Sequence, residues 1–278
     1  MITVKTCEQL SSAVNAAKAE GKKIAFVPTM GALHEGHLSL VAEAKKHADF
    51  VVVSIFVNPL QFGAGEDFEK YPRTIEADSA LLNGAGADLL FLPTVNDVYQ
   101  GNTEITQHAG RIGALYEGAA RPDHFDGMLT VVSRLFELVQ PDFAVFGAKD
   151  AQQVFLVRQM AAKQFGNLQI IEAPTLREPS GLALSSRNRY LSQHEHAVAT
   201  QISAALRVGH ATATSPSAAL ESARTVMLKV PEAKLDYIAL VDANSFEAIQ
   251  DGFKGRALML IAAVVGTTRL IDNIEIVF

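Results

Sequence analysis

The stretch Ile24–His37, IAFVPTMGALHEGH, joins a short apolar run to a glycine-containing loop and two histidines. The run Ile24–Val27 predicts a buried strand, and the apolar spacing that follows the histidines predicts a helix. A helix that begins near His34 places His34 and His37 on one face, three residues apart. Because a helix N-terminus exposes backbone N–H groups and imidazoles add donors, the stretch predicts a site for phosphate oxygens.

The first two-thirds of the chain, which include this stretch, alternate between strand-like and helix-like patterns. Four more β-rich runs are Phe50–Val57, Leu89–Leu92, Phe143–Phe146 and Leu168–Ile171. Helical spacing is found at Leu38–His47, Arg73–Asn83, Met128–Val139 and Ala151–Lys163. Most of the runs are apolar without alternation, as in parallel strands covered on both faces. The pattern predicts an α/β fold with a doubly wound, Rossmann-like parallel sheet, in which ligands bind at the carboxyl ends of the strands.

The last hundred residues follow a different order, in which two helices precede three strands. The helical patterns lie at His194–Val208 and Ser217–Lys229, and the strand-like runs are Leu235–Val241, Ala257–Val265 and Leu270–Phe278. This order predicts a smaller α+β domain. The polar segment Glu178–Asn188 resembles a junction, so we expect one domain over residues 1–177 and a second over residues 178–278.

Composition excludes several classes of protein. The 278 residues carry a formal net charge of −6, which disfavours binding to nucleic acid. The single cysteine, Cys7, excludes an intramolecular disulfide framework. The amino terminus lacks the apolar core of a signal peptide, and the longest apolar run is about half a membrane span. We therefore expect a cytoplasmic protein that binds neither nucleic acid nor membrane.

Polar residues follow other predicted strands. FVNPLQF (Phe56–Phe62) offers the amides of Asn58 and Gln61, and FGAKDAQQ (Phe146–Gln153) offers Lys149, Asp150 and Gln153. LALSSRN (Leu182–Asn188) offers two hydroxyls and a permanent cation, and RPDHF adds Arg121 and His124. Each segment alone is also compatible with an ordinary polar turn or a solvated ion pair. Zinc is a second interpretation of the two histidines, but HEGH differs from HExxH and no third ligand is marked.

Together these segments resemble the pantoate–β-alanine ligase family of the HxGH nucleotidyltransferase superfamily. The resemblance rests on PTMGALHEGH, FVNPLQF, KYPRT (Lys70–Thr74), TVVSRLFELVQPD (Thr130–Asp142), FGAKD and GLALSSRNRYL (Gly181–Leu191). It runs in one order from about Lys23 to Leu191. The sequence departs from the family's usual pattern at Ala148, where a charged residue is frequent, and at Asp123, where glycine is common.

The resemblance implies a carbon–nitrogen ligase. Its family condenses (R)-pantoate with β-alanine to give pantothenate, through a pantoyl adenylate, with release of AMP and pyrophosphate. ATP is a substrate, and Mg²⁺ accompanies its phosphates. The family is typically a homodimer, and the carboxyl-terminal domain is expected to act as a lid, with a hinge near Glu178–Gly181. No protein ligand to the metal follows from the motifs, although Asp78 is one possible contact.

Site residues are carried over motif by motif. His37, His34 and Lys149 are implied in catalysis, and Gln61 and Gln153 in binding pantoate, with Gln61 also bordering β-alanine. The ATP contacts implied are Met30, Gly31, Ala32, Leu33, His34, Glu35, Gly36, His37, Gly147, Ala148, Lys149, Asp150, Leu176, Leu184, Ser185, Ser186 and Arg187.

Three alternatives remain open on the sequence. Another HxGH enzyme would transfer AMP to a phosphate group, but FVNPLQF and LALSSRN fit the ligase pattern better. An aminoacyl-tRNA synthetase fragment would be expected to carry a basic region, which the net charge disfavours. A regulatory module would bind the nucleotide without releasing pyrophosphate.

Overall fold

The protein is described by a computed structural model over residues 1–63 and 68–278. The chain forms two units. The first contains Met1–Ala148 and Gln152–Pro174, and the second contains Lys149–Ala151 and Thr175–Phe278. No helix in the described part of the chain is long and apolar enough to cross a bilayer.

The first unit is built on a six-stranded parallel sheet with the order β1-β4-β3-β2-β5-β6. Its strands are β1 (Ile2–Val4), β2 (Ile24–Thr29), β3 (Phe50–Ile55), β4 (Leu89–Phe91), β5 (Phe143–Gly147) and β6 (Gln169–Ala173). The predicted Rossmann-like fold is confirmed. From β2 the chain moves to β3 on one side and later to β5 on the other, so the strand order reverses at β2. The carboxyl ends of β2 and β5 therefore form a switch point, the usual place for a ligand in such a sheet.

Eight helices are described in the first unit. They are α1 (Cys7–Ala19), α2 (Glu35–Ala44), α3 (Ile75–Ala85), α4 (Val95–Tyr99), α5 (Gly110–Gly113), α6 (Glu117–Ala120), α7 (His124–Val139) and α8 (Ala151–Gln164), although Ala151 itself groups with the second unit. Helix α7 is the most buried of them, since its apolar side chains between Phe125 and Val139 pack against the sheet. Strand β1 and helix α1 were not predicted from the sequence, because β1 has three residues and α1 buries few large side chains.

The second unit contains helices α9 (Gln193–Ala211) and α10 (Pro216–Leu228) and an antiparallel sheet. Its strands are β7 (Ala233–Asp242), β8 (Arg256–Val265) and β9 (Thr268–Val277), with β8 in the centre. Ile202 and Leu206 of α9 are buried in one core with Met259 and Ile261 of β8. The predicted α+β fold of this part is confirmed.

Candidate active site

The loop between β2 and α2 adopts a left-handed backbone at two consecutive residues. Gly31 has a φ of 85° and Ala32 a φ of 51°. A Cβ atom on Gly31 would lie 3.0 Å from the Ile55 Cγ2 atom and 3.1 Å from the Asp78 Oδ2 atom. The loop is thus pressed against β3 and α3, and glycine suits Gly31 for both its conformation and its close approach.

Asp78 of α3 anchors this loop. Its Oδ2 atom accepts the backbone N–H of Ala32 and its Oδ1 atom that of Leu33, each at 2.9 Å. The hydroxyl of Thr74 also donates to Oδ2, at 3.2 Å. The side chain is buried, with 2 % of the residue exposed. The sequence offered Asp78 as a possible metal contact, but in the structure both of its carboxylate oxygens accept backbone N–H groups of the loop.

His34 and His37 lie together at the N-terminus of α2, as their spacing predicted. His34 is the N-cap residue, and its Nδ1 atom accepts the backbone N–H of Gly36 at 3.1 Å. The Nδ1 atom of His37 accepts the backbone N–H of His34 at 3.3 Å, and the two ring centroids are 4.1 Å apart. Because each Nδ1 atom is an acceptor, a neutral ring carries its proton on Nε2. Both rings thus lie at a helix end that favours anions, with Nε2 as the donor nitrogen of the neutral form.

Gln61 is held by Asn58 in the turn that follows β3. The Asn58 Nδ2 atom donates to Gln61 Oε1 at 3.2 Å and to the carbonyl of Gly127 at 3.1 Å. The Gln61 Nε2 atom lies 3.1 Å from the Sδ atom of Met30, a residue of the β2–α2 loop. The fold thus places one of the predicted pantoate residues beside the predicted nucleotide loop.

Arg121 and His124 also contact this turn, although through the backbone of Gln61. The Nδ1 atom of His124 lies 2.8 Å from the carbonyl oxygen of Gln61 and therefore donates to it. The Nε2 atom of the same ring lies 2.9 Å from the NH1 atom of Arg121, which is always a donor. The RPDHF motif therefore supports the position of Gln61.

Gly127 was overlooked as a site-forming residue in the sequence. A Cβ atom there would lie 1.9 Å from the carbonyl oxygen of Leu60, so α7 packs directly on the Pro59–Gln61 turn. A glycine within an otherwise helical pattern was the available signal. Tyr99 was also missed, although its hydroxyl donates to Asn58 Oδ1 at 2.6 Å.

The remaining predicted residues divide between the two units. Gly147 ends β5, and Gln153 lies half-buried on α8, both in the first unit. In the second unit, Lys149 Nζ lies 3.6 Å from Asp150 Oδ1. Elsewhere in that unit, Leu184 donates its backbone N–H to the carbonyl of Leu176 at 3.0 Å, and Ser185 Oγ accepts the N–H of Arg187 at 3.2 Å. The fold therefore gathers Leu176 and Leu184–Arg187 in one place.

The segment Glu178–Gly181, predicted to be a hinge, is a tight turn within the second unit. The N–H of Gly181 donates to the carbonyl of Glu178 at 2.8 Å, and Arg177 and Ala183 form a bridge across the turn. The chain passes from the first unit to the second between Pro174 and Thr175. A movement about Glu178–Gly181 would break contacts of the second unit itself, so this part of the hinge prediction is not supported.

The described residues do not form a cage for a metal ion. Among residues 1–63 and 68–278, no group of three or more His, Cys, Asp or Glu side chains is arranged to hold one. The buried carboxylate of Asp78 is saturated by the loop.

Comparison with known proteins identifies the family of this chain. The profile of the family described as pantoate-beta-alanine ligase matches residues 2–275. The chain belongs to the pantoate–β-alanine ligase family. This ligase is 52 % identical to the pantothenate synthetase of Acidothermus cellulolyticus, over 90 % of its own chain and 84 % of that protein. It is 50 % identical to that of Leifsonia xyli, over 98 % of both chains.

Solved structures of the same family share its fold. A pantothenate synthetase from Thermus thermophilus superposes on this ligase with a TM-score of 0.93, at 44 % identity and over 99 % of both chains. The ligase from Francisella tularensis, complexed with β,γ-ATP and β-alanine, has a TM-score of 0.81 at 37 % identity, over 99 % of this chain and 97 % of that one. The predicted family is confirmed, and the three alternative classes are set aside.

Proposed function

We propose that this ligase makes pantothenate from (R)-pantoate and β-alanine through a pantoyl adenylate. In the first half-reaction, a carboxylate oxygen of pantoate attacks the α-phosphorus of ATP and pyrophosphate leaves. In the second, the amine of β-alanine attacks the activated carbonyl, loses a proton and displaces AMP. The observation that carries the proposal is the pair of imidazole rings of His34 and His37, which lie together at the N-terminus of α2, after the strand at which the sheet order reverses.

Charge stabilisation is the chief requirement of the first half-reaction, because the oxygens around the pentacoordinate α-phosphorus of the transition state carry negative charge. Two imidazole rings fixed at the positive end of the α2 dipole meet this requirement without a protein nucleophile. We assign the α-phosphate to His34 and His37, and the nucleotide contacts to Met30–His37 as a whole. Gly147, Ala148, Lys149, Asp150, Leu176, Leu184, Ser185, Ser186 and Arg187 are proposed as further ATP contacts, with Lys149 catalytic.

Pantoate is assigned to Gln61 and Gln153, and β-alanine to a position that Gln61 borders. The Oε1 atom of Gln61 already accepts from Asn58, so the side chain is best suited to donate from Nε2 to a substrate oxygen. The thioether of Met30 is a weak acceptor that a substrate oxygen would readily replace. An amide selects such oxygens without adding a charge.

We also retain the proposed division of labour along the chain. Residues 1–177 would bind ATP and pantoate, and residues 178–278 would act as a lid that protects the adenylate from water. Small-angle scattering with and without ATP and pantoate tests the lid, since unchanged profiles would contradict it. A homodimer and a cytoplasmic location are further expectations, which sedimentation velocity and cell fractionation test.

Pyrophosphate release tests the central proposal. The ligase is mixed with ATP, Mg²⁺ and (R)-pantoate, with and without β-alanine. We expect one equivalent of pyrophosphate in a burst without the amine, and steady AMP and pantothenate production with it. Absence of both the burst and the steady products would reject the adenylate route. Steady turnover with β-alanine but no burst without it would mean that the amine must bind before pyrophosphate is released.

A further inference from the structure

Tyr99 is a buried tyrosine at the end of α4 with no role among the sequence motifs. Only 7 % of the residue is exposed, and its ring packs against Phe56, with centroids 6.2 Å apart. Its hydroxyl donates to the Oδ1 atom of Asn58 at 2.6 Å, across 41 positions of sequence. Asn58 in turn donates to the Gln61 amide, so it is the one residue between Tyr99 and Gln61 in this chain of hydrogen bonds.

The amide of Asn58 has every hydrogen-bonding position filled. Its Oδ1 atom accepts from the Tyr99 hydroxyl and from the N–H of Leu60, the latter at 3.2 Å. Its Nδ2 atom donates to Gln61 and to the carbonyl of Gly127. The two ends of an amide have nearly the same shape, so only such donors and acceptors fix which end is the oxygen.

We propose that Tyr99 is a positioning residue that sets the orientation of the Gln61 amide through Asn58. The Leu60 N–H and the Gly127 carbonyl identify the oxygen and nitrogen ends of the Asn58 amide, and the Tyr99 hydroxyl holds the oxygen end with the shortest of these bonds. Held in this way, Asn58 presents a donor to Gln61 Oε1, and Gln61 turns its own N–H group toward the substrate. Tyr99 would thereby favour an oxygen acceptor on pantoate. The inference rests on the proposed contact between Gln61 and pantoate.

The direction of the first hydrogen bond follows from chemistry. Burial raises the pKa of the Tyr99 phenol above its ordinary value, so the group keeps its proton at working pH. A carbonyl oxygen can only accept, and the phenol must therefore donate. Without the hydroxyl, Oδ1 would retain a single donor, from Leu60, at a longer distance. The contact between Gln61 Nε2 and the Met30 thioether cannot orient the Gln61 amide in place of Tyr99, because a thioether is a weak acceptor.

Tyr99→Phe tests the inference, since it removes only the hydroxyl and keeps the ring beside Phe56. We expect the KM for pantoate to rise roughly three- to tenfold, as for one lost hydrogen bond, while the KM for ATP and kcat stay within about twofold. The matched control is Tyr237→Phe on β7, which should change none of these values. A partly unfolded preparation lowers the active concentration but leaves KM unchanged, so loss of fold cannot imitate the result.

A double-mutant cycle separates this inference from the function on which it rests. Gln61→Ala alone should raise the KM for pantoate, and Tyr99→Phe should add nothing in that background. If Gln61→Ala has no effect, the pantoate assignment fails and the role of Tyr99 with it. If Gln61→Ala weakens pantoate use but Tyr99→Phe does not, or if the two effects multiply, the pantoate assignment stands and the role of Tyr99 is overturned. An equal rise in the KM values of pantoate and ATP would also overturn it.

Discussion

The carboxylate of Asp78 accepts the backbone N–H of Ala32 at 2.9 Å and so connects α3 to the β2–α2 loop. Ala32 has a φ of 51°, a left-handed conformation that an alanine adopts at a cost. The second oxygen of Asp78 accepts from Leu33. Two charge-assisted hydrogen bonds therefore support the strained part of the loop that leads to His34.

Asp78→Asn should loosen this loop. An asparagine has one oxygen, so one of the two backbone N–H groups would face an amide NH₂ and lose its acceptor. We expect the free energy of unfolding to fall by about 1–3 kcal/mol and the KM for ATP to rise. The matched control is Asp88→Asn, whose carboxylate accepts the N–H of Val51 at 2.8 Å. The control keeps one oxygen for the Val51 N–H and should leave the KM for ATP unchanged, so an equal effect of both variants on that KM would contradict the role of Asp78.

His37→Ala should lower turnover by on the order of a hundredfold, as when other transition-state donors are removed. The helix keeps its N-cap at His34, so the circular dichroism spectrum should stay unchanged. His47→Ala is the control, because His47 follows α2 and contacts Glu43 rather than the loop. Wild-type pyrophosphate release by the His37 variant would remove this ring from the mechanism.

Gly127→Ala should displace the Pro59–Gln61 turn from α7. The added Cβ atom would overlap the carbonyl of Leu60 and lie 2.8 Å from the backbone nitrogen of Gln61. We expect weaker pantoate use together with a large loss of thermal stability. Gly84→Ala is a matched helical control on α3, where a Cβ atom would meet nothing within 4 Å. That control should be neutral or stabilising by about 0.5–1 kcal/mol, so a benign Gly127 variant would show that the close approach is unimportant.

Asp272→Asn should destabilise the second unit. Asp272 is 4 % exposed, and its two oxygens accept from both terminal nitrogens of Arg177, with the longer distance 2.9 Å. Loss of these charge-assisted bonds should lower the free energy of unfolding by about 1.5–3 kcal/mol. The exposed pair of Arg256 and Glu275 is the comparison, and Glu275→Gln should cost at most about 1 kcal/mol. Hydrogen exchange of β8 and β9 measures both, and faster exchange in the Glu275 variant would reverse the expected order.

Much of the fold was readable because the relevant patterns are local. The apolar run Phe50–Val57 predicted a buried parallel strand, and six of its residues form β3. His34 and His37 were predicted to share a helix face because three residues of helix bring them together. Strand β1 was missed because three residues carry too little pattern.

The sequence by itself determined the two folds, the family and the identity of the polar residues that follow the strands. Only the tertiary structure decided how those residues are held. Asp78 reaches Ala32 across 46 positions, and Tyr99 reaches Asn58 across 41. Periodicity reports which side of an element is apolar, whereas a buried polar group takes the partner that packing brings to it. Asp78 on α3 therefore anchors the β2–α2 loop, and Tyr99 on α4 holds the Asn58 amide, because the fold brings these two helices beside those partners.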